Sequence, residues 1–174
     1  MQSIIAHHGL RNLLGRIGLF VVLMLGTRCA PSEPAIRVEP SPSALQIGHE
    51  GRLSVTVEDI ADLTAFEVHL SFDAKTLEVI QLIDGGFIKA DFIIQNTFDN
   101  AAGTIDYAVA QIDRPPASGS GTLFEILFRA KGAGTSPIHF RETPAAAAGA
   151  LFSDSEGMAI QVLLINGSLK IAGS

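Results

Sequence analysis

Apolar and polar residues alternate without exception from Ala65 to Phe72: Phe66, Val68, Leu70 and Phe72 project one way, Ala65, Glu67, His69 and Ser71 the other. Successive side chains of a strand point to opposite faces, so this period of two predicts a strand with one dry and one wet face. Thr104–Ile112 repeats the pattern, with Ile105, Tyr107 and Val109 inward and Asp106, Ala108 and Ala110 outward. Leu53, Val55 and Val57 share one face of Arg52–Val57, and the whole stretch from Leu53 to Phe72 reads as two strands around one turn. Shorter strand-like runs are Ala35–Glu39, Ala44–Ile47, Leu77–Ile83, Phe92–Phe98 and Pro137–Arg141. Thr122–Lys131 is the most apolar run and is expected at the centre of a sheet.

Between these runs stand Gly, Pro, Asn and Asp, the residues that supply turn conformations. Arg114–Gly121 (RPPASGSG) reads as a loop. Asn166-Gly167, between Ala159–Ile165 and Ser168–Ile171, is suited to a two-residue hairpin turn. The alanine-rich segment Pro144–Ala150 fits either a helical turn or a close-packed stretch. No long amphipathic helix and no repeat of fixed period is present, so about ten short strands predict an all-β antiparallel sandwich.

The first 28 residues follow a different pattern. His7, His8, Arg11 and Arg16 precede an unbroken run of nine residues, Ile17–Leu25 (IGLFVVLML). As a helix that run rises roughly 14 Å, about half of a ~30 Å hydrocarbon core, which suits the apolar region of a secretory signal rather than a membrane span. The lone cysteine, Cys29, follows within four residues and leads into Ala30-Pro31-Ser32-Glu33-Pro34, an extended tether. The expected division is therefore a signal over 1–28, a tether over 29–35 and a sandwich over 36–172. Cys29 is placed as in a bacterial lipoprotein, although Arg28 stands where such signals carry a small residue; ordinary cleavage nearby is the alternative. Either way the chain is expected to be exported, secreted or at the cell surface, with the membrane reached only through a lipid anchor. A single cysteine excludes a disulfide framework, so a hydrophobic core must hold the fold.

Removing the signal takes away three arginines and no acid, leaving nine basic residues against 18 acidic ones. That acidic balance disfavours nucleic acid and anionic lipid as partners. Catalytic chemistry finds little support. His49, His69 and His139 form no H-E-x-x-H pair, no G-x-S-x-G is present, and the Glu67-His69-Ser71 row reads as a solvated stripe. Asp154-Ser155-Glu156-Gly157 and Asp99-Asn100 do not fit a calcium loop and read as turns. The expectation is a protein that is not an enzyme and carries neither cofactor nor metal.

Four separated stretches resemble the cohesin family. They are Val55–Phe66 (VTVEDIADLTAF), Leu70–Ile80 (LSFDAKTLEVI), Ser118–Gly132 (SGSGTLFEILFRAKG) and Asn166–Ile171 (NGSLKI), in the family's order; Ala74 stands where the second motif commonly has proline. The resemblance implies a jelly-roll β-sandwich of about nine strands. It also implies a partner, the dockerin, a small helical module that carries its own calcium. Cohesins bind dockerins on the sheet face matching Ala65–Ser71, Phe92–Phe98 and Thr104–Ile112. Carried over by position, Ala65, Glu67, Asp106, Ala108 and Gln111 form that face, with Phe98 near its edge. Glu67 falls where the family often has a carboxylate that accepts hydrogen bonds, Gln111 near a common Glu, and Ala65 where some members have Asn.

The alternatives from the residues are a carbohydrate-binding module and a structural surface domain. Sugar platforms stack rings on exposed aromatics. This chain has no Trp, a single Tyr on the inward face, and Phe residues placed mostly at core positions, which disfavours direct binding to polysaccharide.

Overall fold

The computed structural model describes residues 32–41 and 44–173; the expected signal, Cys29 and the start of the tether lie outside the described residues. Twelve strands follow in order: β1 Ala35–Ser41, β2 Ala44–Gln46, β3 Glu50–Leu63, β4 Ala65–Ser71, β5 Leu77–Asp84, β6 Phe92–Asp99, β7 Thr104–Ala110, β8 Ala117–Ala130, β9 Gly134–Phe140, β10 Ala150–Ser153, β11 Leu163–Ile165 and β12 Gly167–Ala172. They form two sheets. One has five strands in the order β11-β1-β3-β8-β5, and the other has seven, β2-β12-β9-β4-β7-β6 with β10 also paired to β4. This is a jelly-roll sandwich with three more strands than expected.

The inward rows meet as the core. Phe66, Val68 and Leu70 of β4 face Leu53, Val55 and Val57 of β3 and Leu123, Phe124, Ile126 and Phe128 of β8, all in one buried cluster. Four rings bridge the layers. Phe124 stacks on Tyr107 with centroids 4.5 Å apart, Tyr107 on Phe66 at 6.0 Å, and Phe66 on Phe152 at 6.2 Å. Burial, with the Asp84 charge adding to it, pushes the Tyr107 hydroxyl up to about 12, consistent with its inward placement.

Three expectations about turns are corrected. The stretch Leu53–Phe72 is not a hairpin: β3 runs on to Leu63 and β4 starts at Ala65 in the opposite sheet, so the chain changes layers at Thr64. The extension of β3 carries two register breaks, with Asp59 and Asp62 in the left-handed region at φ 54° and 62°. Such breaks free backbone donors, which must find partners. Asp59 N–H donates to Ser120 Oγ and Asp62 N–H to Ser118 Oγ, both at 3.0 Å. Ser118 and Ser120 therefore sit in a strand, β8, and the expected loop over Arg114–Gly121 ends at residue 116.

Asn166-Gly167 is likewise no hairpin. Before it, β11 pairs parallel to β1 in one sheet; after it, β12 pairs antiparallel to β9 in the other. Asn166 Oδ1 accepts from Phe140 N–H at 2.9 Å, and a Cβ on Gly167 would stand 2.6 Å from the Val38 carbonyl oxygen. Close backbone approach, not turn geometry, requires that glycine. The alanine-rich segment is a short turn closed by Thr143 N–H donating to the Ala146 carbonyl at 3.0 Å, and it feeds a strand the alternation did not mark, β10.

Candidate binding face

β4 is flanked by β7 along its whole length, with Glu67 opposite Ala108 and His69 opposite Asp106. Its other edge is shared by two strands. β9 pairs at Leu70 and Ser71, and β10 at Ala65–Val68. At the seam between them His69 N–H donates to the Gly149 carbonyl and the His69 carbonyl accepts from Arg141 N–H, both at 2.9 Å. Gly149, at φ 89° with the Arg141 backbone nitrogen 2.6 Å from where a Cβ would sit, lets the chain re-enter there.

The expected solvated stripe has a buried histidine at its centre, held between two carboxylates. His69 is only 4% exposed. Its Nε2 lies 2.5 Å from Glu67 Oε1 and its Nδ1 2.5 Å from Asp106 Oδ1, while Arg141 Nη2 donates to the same Asp106 oxygen. Both ring nitrogens thus stand within hydrogen-bond distance of a carboxylate oxygen. The outward parity of His69 was legible; its covering by the 141–149 segment was not. Glu67 and Asp106 stay about a quarter exposed, each with a second oxygen that meets no donor among the described residues.

Next to this cluster the face is apolar and hollow. Ala65 and Ala108 floor a cavity of about 240 Å³ between Ile94 and Gln95 on one side and Leu151 and Ser153 on the other. Ile94 is 66% and Leu151 40% exposed. Ile94 reaches the outer side because β6 is bulged against β7, with Ile93 opposite Val109 and Gln95 opposite Ala108. Two buried side-chain polar atoms have no hydrogen-bond partner among the described residues, Gln95 Oε1 and Arg141 Nε, and both belong to this face.

Of the expected site residues, Ala65, Glu67 and Ala108 come together at the hollow and Asp106 lies one row along, held by His69 and Arg141. Ala108 is buried as the floor rather than displayed. Phe98 pairs with the inward residue Ile105, so it lies on the inner side of the β6 edge, away from the hollow. Gln111 is corrected. β7 ends at Ala110, and Gln111 is buried, its Oε1 accepting from Lys89 N–H at 3.2 Å and its Nε2 donating to the Pro115 carbonyl at 3.0 Å. Sequence reading missed Ile94, Gln95 and Leu151. The run Phe92-Ile93-Ile94 was the available signal, since three successive apolar residues break a period of two.

The loop that Gln111 clamps is pinned again at Asp91. Arg114 donates from Nε and Nη2 at 2.8–3.1 Å and Ile112 N–H at 2.9 Å, which together hold the Asp91 carboxyl at about 2. A carboxyl whose folded value lies below its unfolded value near ~3.9 favours the fold at neutral pH. That contribution is complete above pH ~4 and fades as pH falls toward ~2. A carboxyl-carbon NMR titration is expected to give Asp91 a midpoint near 2; a midpoint near ~4 would show the Arg114 pair is not formed.

Asp154 and Asp99 cap turns. Asp154 Oδ1 accepts from Glu156 and Met158 N–H, and Asp99 Oδ1 from Ala101 and Ala102 N–H, which lowers the Asp99 carboxyl.

The cohesin domain family model matches residues 40–168. No curated protein sequence matches the chain. Among solved structures the sandwich is similar to a type II cohesin domain from the cellulosome of Acetivibrio cellulolyticus, with a TM-score of 0.71 and 18% identity over 79% of this chain and 95% of that one. It is similar to a non-cellulosomal cohesin from the hyperthermophilic archaeon Archaeoglobus fulgidus, with a TM-score of 0.64 and 20% identity over 81% and 92%. A structure of a type I cohesin–dockerin complex from Clostridium thermocellum matches with a TM-score of 0.69 and 16% identity over 81% and 100%. With the family model spanning most of the sandwich, the chain belongs to the cohesin domain family.

Proposed function

We propose that this chain is a protein-binding module that receives a dockerin-type partner on the outer face of β10, β4, β7 and β6. The observation that carries the reading is the alanine-floored hollow between exposed Ile94 and Leu151, where an apolar side chain from a partner helix would be buried. Membership of the cohesin family supports it, as do related cohesins solved as dockerin complexes. The two unpartnered polar atoms at the same face add support, because unmet buried groups tend to mark functional surfaces. The proposal extends to the setting: an exported chain, secreted or held at the cell surface through Cys29, recruiting calcium-loaded partners that act in polysaccharide breakdown. The leader pattern of residues 1–28 supports the export part.

Recognition differs from the expectation drawn from position alone. Glu67 and Asp106 already hold His69 and Arg141, so apolar burial rather than the carboxylates is the main source of affinity. Calorimetric titration against dockerin modules encoded in the source genome, with calcium and with chelator, tests this. Ile94→Asp and Leu151→Asp are each expected to weaken a calcium-dependent complex at least ~30-fold, about 2 kcal/mol, while Glu67→Ala costs less. Wild-type affinity in both aspartate variants would remove the face from consideration. Chelator-insensitive binding to insoluble polysaccharide, with no dockerin bound, would replace the reading by a carbohydrate one.

A further inference from the structure

A partner on the outer face leaves part of β6 unexplained. Four of the nine exposed large hydrophobic residues among those described lie on this one strand: Phe92 at 55%, Ile93 at 60%, Ile94 at 66% and Phe98 at 38%. They fall on both of its sides. Phe92 stands opposite the outward Ala110, but Ile93 and Phe98 stand opposite Val109 and Ile105, which point into the core. A module seated on the outer face covers Ile94 and Phe92 and cannot reach Ile93 and Phe98.

β6 is also the last strand of its sheet, so one row of its backbone N–H and C=O groups meets no strand. The opposite end of that sheet is β2, only three residues long, whereas β6 has eight. Edges are usually blunted by brevity, by lysine or by proline. Phe92–Phe98 (FIIQNTF) has no charged residue and no proline. A strand laid along this edge would satisfy the backbone and cover the flanks of both sides together.

We propose that the occupant is a second copy of this chain, its β6 paired antiparallel to the first across a two-fold axis near the strand's midpoint. The charges at the strand's ends argue for self-pairing. Asp91 precedes β6 and holds Arg114 through its Nε and Nη2, leaving Nη1 with no acceptor among the described residues. Asp99 ends β6, with Oδ1 taken up by the turn and Oδ2 meeting no donor among the described residues. An antiparallel two-fold brings the Arg114 end of each copy, which Asp91 already neutralises, to the Asp99 end of the other, so one arrangement offers the free Nη1 donor to the free Oδ2 acceptor twice, beside an uncharged apolar middle.

Two features set the strength. An eight-residue strand is about 27 Å long, and a single-strand contact falls below the ~1,200 Å² of standard interfaces, so the dimer is weak and concentration-dependent. Each copy carries a formal charge of −6, whose mutual repulsion salt screens. Association is therefore expected to strengthen as ionic strength rises, until the end pairs are themselves screened.

Sedimentation equilibrium of the full-length chain from about 10 µM to about 1 mM tests the proposal. The weight-average mass is expected to climb toward that of a dimer, sooner at ~0.3 M than at ~0.03 M salt. Ile93→Lys, a charge on the side away from the hollow, is expected to return the chain to monomer with an unchanged circular dichroism spectrum. Arg114→Gln is expected to weaken the dimer about fivefold. A wild-type monomer at the highest concentration in both salts, or an Ile93→Lys chain that dimerises like wild type, overturns the proposal. Should Ile93→Lys misfold, amide exchange on wild type decides: amides within Gln95–Phe98 slow with concentration if β6 pairs, and concentration-independent exchange rejects it. Dockerin binding through the outer face can fail or succeed without altering any of these readouts.

Discussion

Replacing Phe124 with alanine is expected to destabilise the sandwich by about 3–5 kcal/mol, the range for emptying a core aromatic site. Phe124 is fully buried on β8, which lies between β3 and β5, and its ring stacks on Tyr107 of the opposite sheet. Tyr107 continues through Phe66 to Phe152, so the missing ring would open a void at the end of a stacked row. Strands hydrogen-bonded on both sides cannot collapse readily into such a void, which places the cost toward the upper part of the range. Against a total stability of about 5–15 kcal/mol for a single domain, the loss is a large fraction. Urea unfolding read by circular dichroism gives the difference directly, and the melting temperature is expected to fall by about 6–20 °C. A loss under ~1 kcal/mol would mean the two sheets are not held together through this row.

His69→Ala is expected to cost about 2–3 kcal/mol. The ring is buried and meets one oxygen of each carboxylate, so its removal leaves a void and two oxygens without that partner, at about 1–3 kcal/mol for an unmet group, held down because Glu67 and Asp106 remain about a quarter exposed. Without the ring, two carboxylates face each other across β4 and β7 with Arg141 alone to offset them. The signature that separates this electrostatic role from simple packing is rescue. Adding Glu67→Gln to His69→Ala is expected to recover about 1 kcal/mol, because Glu67 has no partner but His69 among the described residues, whereas Asp106 keeps Arg141. If the double variant is less stable than His69→Ala, the ring acts by filling space instead. Both measurements are made at neutral pH and low salt, where screening is weakest.

The parts of the fold that could be read from the chain were those governed by the period of two. Phe66–Phe72 and Ile105–Val109 alternate because one side is dry, and their inward residues are buried as that pattern requires. Parity does not say what covers a face. His69 points outward as expected and is nevertheless buried, because Arg141 and Gly149 come from a segment whose alanines carry no periodic signal. Turn chemistry misled wherever one residue type serves two purposes. Asn-Gly suits a tight turn, yet Gly167 is there so that Val38 can approach, and Thr64 passes between layers with no Gly or Pro to mark it. Gln111 failed for a simpler reason: the alternation was extended past Ala110, where the strand had already ended. Ile94 and Leu151 were hidden by a bulge and by a four-residue strand, both of which depend on pairing partners distant in the chain.

The seam along β4 separates two duties that a single neighbouring strand would have combined. Because β9 stops and β10 begins beside His69, residues 142–148 belong to no ladder, while the bonds at Arg141 and Gly149 fix where that excursion starts and finishes. Loop-closure entropy rises only slowly with length, by about 0.6 kcal/mol per doubling. Residues could therefore be inserted between those two anchors while the sandwich stays as it is, provided buried Ala146 is kept. The seam is an adjustable margin beside His69, where the chain's length can change without rebuilding the fold beneath it.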